Sequence, residues 1–341
     1  MEHTKSVDHT SVDHTVTSPE HISESDELLD ISLRPASFDE YFGQHKVKQS
    51  VGIMVQAAKK RNDSLDHILF YGPPGLGKTT LARLIGNELG KNIRITSGPA
   101  LERAGDLAAI LTNLSDGDVL FIDEIHRLSK VVQETLYPAM EDKAIDIVVG
   151  KGPSARTIRL DLPHFTVIGA TTRMGLLNAP IRDRFGGIFR LEFYSPEDLV
   201  HIIKRSARVL NIELDHESAS EIAQRSRGTP RIANRILKRV RDYTDVLNDG
   251  VITQVEVLST CNALGIDDQG LDVLDQKYLS LLLNQFDGGP VGIETLSASL
   301  TEDGGTLEDI IEPFLLTKGY IEKTPRGRKI TTLGRQVMIK Q

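Results

Sequence analysis

GPPGLGKT, residues 72–79, is the stretch from which the rest of the chain is read. It fits the pattern GxxxxGK[ST]. Before it stands HILFY (67–71), a short apolar run that reads as a buried strand. After it comes TTLARLIGNELG (79–90), with apolar residues at helical spacing and a terminal glycine. A strand, a glycine-rich turn and a helix in that order make a phosphate-binding loop. Gly75 and Gly77 let backbone N–H groups turn inward around phosphate oxygens, and the helix adds the positive end of its dipole. Lys78 is placed to reach β- and γ-phosphates, and the Thr79 hydroxyl to ligate Mg²⁺. ATP and Mg²⁺ are the cofactors this pattern implies.

Further along, VLFIDEIH (119–126) puts Asp123 at the C-terminal end of an apolar strand, where ligands bind in open α/β sheets. Asp123 is expected to hold Mg²⁺ through water, and Glu124 to orient and deprotonate an attacking water. Alone, an Asp-Glu pair would mark a surface turn; the upstream loop changes its meaning. GATTR (169–173) ends a third strand. There Thr172 can hold the water or the γ-phosphate, or simply satisfy backbone groups. RDRFG (182–186) carries two arginines in a turn. One of them could stabilise transition-state charge, from a neighbouring subunit if need be, and an ion pair with Asp183 is the plainer alternative. RGTPRIANR (227–235) starts a helix, with Thr229 as N-cap and Pro230 first. Arg231 then opposes the helix dipole, at a cost of roughly a few tenths of a kcal/mol, so a bound anion is expected beside it.

The chain has 341 residues, enough for two or three domains. DVLFIDE (118–124) and FTVIGATT (165–172) join HILFY as buried strands, and their alternation with helices predicts a parallel sheet covered on both faces. From SPEDLVHIIKRSARVL (195–210) to about 265 the pattern is helical. After 266, three helical segments precede the hairpin pattern YIEKTPRGRKITT (320–332), which suggests a winged helix. Residues 1–29 are polar, repeat SVDHT at 6–10 and 11–15, and are expected to be a disordered, solvated tail. One cysteine, Cys261, excludes an internal disulfide and a cysteine-cluster zinc site. Neither a secretory signal nor a membrane-spanning run is recognisable, so a cytoplasmic protein is expected. A net charge of -8 argues against broad electrostatic adhesion to DNA but leaves room for a local basic surface.

These motifs in this order resemble the AAA+ ATPases. More closely, residues 30–335 resemble the RuvB family, bacterial motors of Holliday junction branch migration. LRPASFDEYFGQ (33–44), LDHILFYGPPGLGKTTLA (65–82), GDVLFIDEIHRLS (117–129), DIVVGKGPSAR (146–156), GATTR, RDRFG, SRGTPRIANR, GGPVG and TPRGR carry the likeness. The resemblance implies an AAA+ P-loop parallel-sheet domain (30–194), a small all-helical lid domain (195–265) and a C-terminal winged-helix domain (266–341). It implies a homohexameric ring on duplex DNA, partnered by RuvA and by RuvC in the resolving complex, acting in recombination, repair and the SOS response. It gives Thr80 a place beside the phosphates, makes Thr172 a first sensor, Arg184 a finger acting in trans and Arg231 a second sensor. Leu33 and Arg34 would flank the adenine, with Tyr194 near the base or ribose, while Glu141, Asp142 and Lys143 approach the nucleotide through their backbone. The hairpin AIDIVVGKGPSARTIRL (144–160) would dock RuvA through exposed Ile145, Ile147 and Val148. Gly187 and Met174 depart from the family pattern, and Gly187 is expected to loosen the segment that positions Arg184.

Glu308, Asp309 and Glu312 make the helix before the hairpin a poor surface for phosphate. DNA contact is therefore expected from the wing, with Arg326 foremost and Arg328 beside it. Two other functions fit less well. A clamp-loader ATPase would often carry a cysteine-rich module and an SRC finger, where this chain has RDRFG. A nucleotide-switched DNA-binding regulator would need little hydrolysis, against which stands the intact Asp123–Glu124 pair.

Overall fold

The structure, a computed structural model, describes residues 31–149, 156–247 and 252–339. The polar tail and its repeat lie outside them. Arg34–Glu192 form one compact unit, and the chain from Phe193, with Leu33, forms a second.

The first unit opens with α1 (His45–Arg61), then β1 (Ile68–Tyr71), α2 (Lys78–Leu89), β2 (Ile93–Ser97), α3 (Ala104–Leu111) and β3 (Asp118–Asp123). After these come α4 (Lys130–Glu141), the strands β4 (Ala144–Val149) and β5 (Arg156–Asp161), β6 (Phe165–Thr171), the short α5 (Ala179–Arg182) and β7 (Gly187–Arg190). Five strands form one parallel sheet in the order β2-β3-β6-β1-β7. The central β6 is buried along its whole length. That is why the sequence there is mainly apolar rather than alternating, with the buried Thr166 hydroxyl donating to the Leu65 carbonyl at 2.6 Å. Leu69, Leu120, Ile122 and Val167 meet Leu107, Leu111, Val132 and Leu136 from α3 and α4 in one core. Because every strand is parallel, the ends of β1, β3 and β6 lie on one edge, with Tyr71 in register with Thr171 and Ser97 with Asp123.

β4 and β5 pair as an antiparallel hairpin. Gly187 begins β7, its N–H bonded to the His67 carbonyl at 3.2 Å, and a Cβ there would meet the Phe189 ring. The expected loosening is not seen: this glycine is buried and held in the sheet.

The second unit starts with four helices, α6 (Pro196–Val209), α7 (His216–Arg225), α8 (Pro230–Leu247) and α9 (Gln254–Ala263). Ser195 and Asp215 cap α6 and α7 by accepting N–H bonds three residues on. α10 (Val273–Ser280) runs into a π turn, Leu281–Gln285, and α11 (Ile293–Leu300) comes next. A further helix passes from Gly304–Thr306 through a π turn, Leu307–Ile311, into α12 (Glu312–Thr317). β8 (Ile321–Thr324) and β9 (Gly327–Ile330) form the wing, before α13 (Thr332–Ile339). Val291 in GGPVG bridges to Arg328 and so adds a short third rung to the wing. Gly327 has φ 132°, and any Cβ there would collide with the Val291 carbonyl. Among the described residues, no helix is long and apolar enough to cross a membrane.

Candidate active site

The phosphate loop joins β1 to α2. Gly75 (φ 80°) and Gly77 (φ 93°) take left-handed conformations that a side chain would strain. Gly77 caps α2 without a side-chain acceptor, and the positive end of the α2 dipole at this turn suits an anion. Lys78 is buried, and its Nζ donates to the carbonyls of Gly72 at 2.8 Å and Pro73 at 2.9 Å. Thr79 and Thr80 follow it on the first turn of α2, both half-buried.

Across the sheet edge, Asp123 ends β3 and its Oδ1 accepts the Glu124 N–H at 3.0 Å. Glu124 has φ 46°, an uncommon conformation for a glutamate and one that concentrates at functional sites. Its Oε2 accepts from the Thr172 hydroxyl at 3.2 Å and lies 3.1 Å from His126 Nδ1. Burial alone would raise the Glu124 acid. The His126 hydrogen bond and charge, with Lys78 and Thr172, outweigh it and hold the carboxyl below its ordinary range. His126 Nδ1 is also 2.9 Å from Thr171 Oγ1, which accepts the Arg173 N–H at 3.0 Å. Lys78, Glu124 and Thr172 are thus gathered at the carboxyl edge beside Asp123. His126 and Thr171 were not singled out from sequence. A histidine two residues past the acidic pair carries no spacing signal, and Thr171 reads as a strand end.

Arg184 belongs to a second cluster. It pairs with Glu141 at 3.0 Å, donates to the Pro180 carbonyl at 2.5 Å and lies 4.4 Å over the Tyr137 ring. Its ion-pair partner is therefore Glu141 on α4, not the neighbouring Asp183. Next to it, Asp142 pairs with Arg159 of β5 at 3.1 Å, and Lys143 (φ 54°) donates to the Met140 carbonyl at 2.6 Å. Arg34 opens the same unit. Leu33, Tyr194 and Arg231 lie in the other. The Leu33 carbonyl accepts from Arg205 of α6 at 2.7 Å, and the Tyr194 N–H donates to Gly228 at 2.8 Å. Arg231 is exposed in the first turn of α8.

Three family models match the chain almost end to end. They are the P-loop domain of the Holliday junction DNA helicase RuvB (33–191), the RuvB AAA lid domain (194–267) and the RuvB C-terminal winged-helix domain (268–339). The chain belongs to the RuvB family. It is accordingly an AAA+ P-loop ATPase of the Holliday junction branch-migration type. The solved RuvB Holliday junction branch migration motor of Thermotoga maritima is 48% identical, with a TM-score of 0.83, covering 90% of this chain and 98% of that one. A mutant of the same Thermotoga RuvB is 49% identical with a TM-score of 0.84, over the same shares.

Two expectations for this RuvB-family chain are corrected by side-chain placement. Ile145 is fully buried in the core of the first unit, because the base of β4 packs under Met140, Leu162 and Phe165. It is not an exposed docking residue. Ile147 and Val148 follow on β4, and their side chains lie outside the described residues. Among the described residues, the hairpin presents Ile158 as an exposed apolar side chain, in register with Ile147.

In the RuvB-family wing, Arg328 turns inward rather than outward. Its Nε donates to Glu312 at 2.7 Å and its Nη2 to Glu308 at 2.5 Å. Lys323, in register with Arg328, reaches the other Glu312 oxygen at 2.6 Å, and the Tyr278 hydroxyl donates to Glu312 at 3.0 Å. Glu312 is buried. Burial would raise its acid, but the Arg328 and Lys323 bonds prevail and lower it. Two of the carboxylates read as a repulsive surface are therefore neutralised from within the wing. Arg326 remains exposed at the tip, between the two strands.

Proposed function

We propose that the chain couples ATP hydrolysis to branch migration through the residues at the sheet edge. Lys78 and the N–H groups of the loop bind the β- and γ-phosphates. Glu124 takes the proton of the attacking water, and Thr172 orients that water or the γ-phosphate. Thr79 and Asp123 offer a hydroxyl and a carboxylate, the hard oxygen donors that suit Mg²⁺. Bound there, Mg²⁺ would neutralise charge on the phosphates. The observation that carries the reading is the common hydrogen-bonded cluster of Glu124, Thr172 and His126 next to the phosphate loop.

Family membership supports the remaining assignments. Arg184 acts in trans within a homohexamer, and Arg231 senses the nucleotide. Leu33, Arg34 and Tyr194 contact the base or ribose, and Glu141–Lys143 present backbone groups to it. The hairpin docks RuvA through its outer residues, RuvC joins in the resolving complex, and the cytoplasm is the compartment. The three functional domains are taken as 30–194, 195–265 and 266–341. The test is a synthetic four-way junction incubated with the protein, ATP and Mg²⁺, with and without RuvA. ATP-dependent conversion to duplex products, lost in Glu124→Gln by about 10²-fold or more, is the expected result. Hydrolysis without conversion would redirect the reading to a loader.

A further inference from the structure

We infer that His126 is a positioning residue that clamps Glu124 in the orientation needed to accept a proton. The inference rests on reading Glu124 as the base. His126 sits on the 3₁₀ turn Ile125–Arg127 directly after that residue, and its side chain is only 8% exposed. Nδ1 lies within reach of two oxygens, Glu124 Oε2 at 3.1 Å and Thr171 Oγ1 at 2.9 Å. An ionised carboxylate has no hydrogen to give, so Nδ1 must carry one. Thr171 Oγ1 already accepts from Arg173 N, which leaves it able to share the imidazole hydrogen as a second acceptor. The tautomer is thereby set by its neighbours.

Both side-chain donors to Glu124, His126 Nδ1 and the Thr172 hydroxyl, converge on Oε2. The carboxylate is thereby anchored through Oε2, which restricts where its other oxygen, Oε1, can point. A glutamate side chain has three torsions to freeze, and a base held a fraction of an ångström out of line loses much of its effect. Thr172 also has a nucleotide-facing role in the proposed mechanism. His126 has none, and its ring is anchored to Thr171 at the end of β6. It can therefore keep Glu124 aligned while Thr172 exchanges partners.

The experiment compares His126→Ala, His126→Asn and His126→Gln in steady-state ATP hydrolysis, alongside nucleotide binding and thermal unfolding. Asparagine returns an N–H close to the Nδ1 position, whereas glutamine carries it to the Nε2 position. His126→Ala is expected to lower kcat by about 10- to 100-fold with the KM for ATP changed by no more than about twofold. His126→Asn should recover most of that loss, and His126→Gln little of it. In a Glu124→Gln background, His126→Ala should add no further loss, since it acts through the missing carboxylate. A wild-type kcat in His126→Ala, or equal rescue by the two amides, overturns the inference. If the alanine variant does not fold, the contrast between the amides decides alone. A Glu124→Gln enzyme that hydrolyses ATP normally would instead refute Glu124 as base, an outcome separable from the first.

Discussion

Arg227 and Asp275 face each other at 2.5 Å in the interior of the second unit, both shut off from solvent. Arg227 stands four residues before Arg231, and its guanidinium also reaches Asp272 at 2.7 Å and the Gly270 carbonyl at 2.8 Å. Asp272 caps α10, the first helix of the winged-helix segment. One cation thus joins the turn that leads into α8 to the start of that segment. Burial raises the Asp275 acid to about 8, against the pull of Arg227 and with the help of the Asp272 charge. The two sides of the contact should therefore respond unequally. Arg227→Ala leaves carboxylates buried without a cation and is expected to cost about 3–5 kcal/mol. Asp275→Asn keeps an accepting oxygen and replaces a group whose charged form burial already disfavours, and should cost under about 1 kcal/mol. Urea unfolding of the full chain measures both; equal losses would contradict the assignment.

His67 couples the first unit to pH. Its Nδ1 accepts the Val167 N–H at 2.8 Å, and Nε2 is 3.3 Å from the Met140 carbonyl, so the neutral ring ties β6 to the end of α4. Burial, then the nearby Lys143 charge, lowers its pKa to about 4. Because the folded value lies below the unfolded one, the contribution is complete above about pH 6.5 and is lost as pH falls towards 4. The full span is about 3 kcal/mol. Unfolding free energies of wild type and His67→Gln between pH 7 and 4.5 should converge as the solution is acidified. Parallel curves would show that His67 does not titrate in this way.

The wing separates two arginines that look alike in sequence. Arg326→Ala should leave stability within about 0.5 kcal/mol and weaken duplex binding, with a shallower salt dependence. Arg328→Ala removes a cationic partner of the buried Glu312 and should destabilise the chain by about 2–4 kcal/mol. Thermal unfolding paired with duplex titration at two salt concentrations distinguishes them. A stable Arg328→Ala with impaired DNA binding would return that residue to the DNA surface.

The hairpin makes a similar contrast. Ile145→Ala opens a cavity in the core and is expected to cost about 2–4 kcal/mol. Ile158→Ser, on the exposed side, should leave stability nearly unchanged and reduce RuvA binding in a pull-down or titration. Unaltered RuvA binding would move the docking surface elsewhere.

Much of this was legible in the sequence. The central strands β1, β3 and β6 are mainly apolar, and glycines, caps and prolines mark the helix ends, so local chemistry alone announces them. Edge strands were not legible. β2 and β7 are each partly exposed, so neither makes an apolar run that could be told from a loop. Chain-local chemistry also singled out Lys78, Thr79, Asp123 and Glu124 as candidates, because a phosphate loop and a strand-end acidic pair must be written contiguously. What only the tertiary structure decided is who faces whom. His126 meets Thr171 across 45 residues, Arg184 meets Glu141 across 43, and Arg328 folds onto Glu312 across 16. Such pairings depend on strand order, register and the face on which a side chain emerges. One step along a strand reverses that face, and the loss of solvent that gives each contact its strength exists only once the chain has packed.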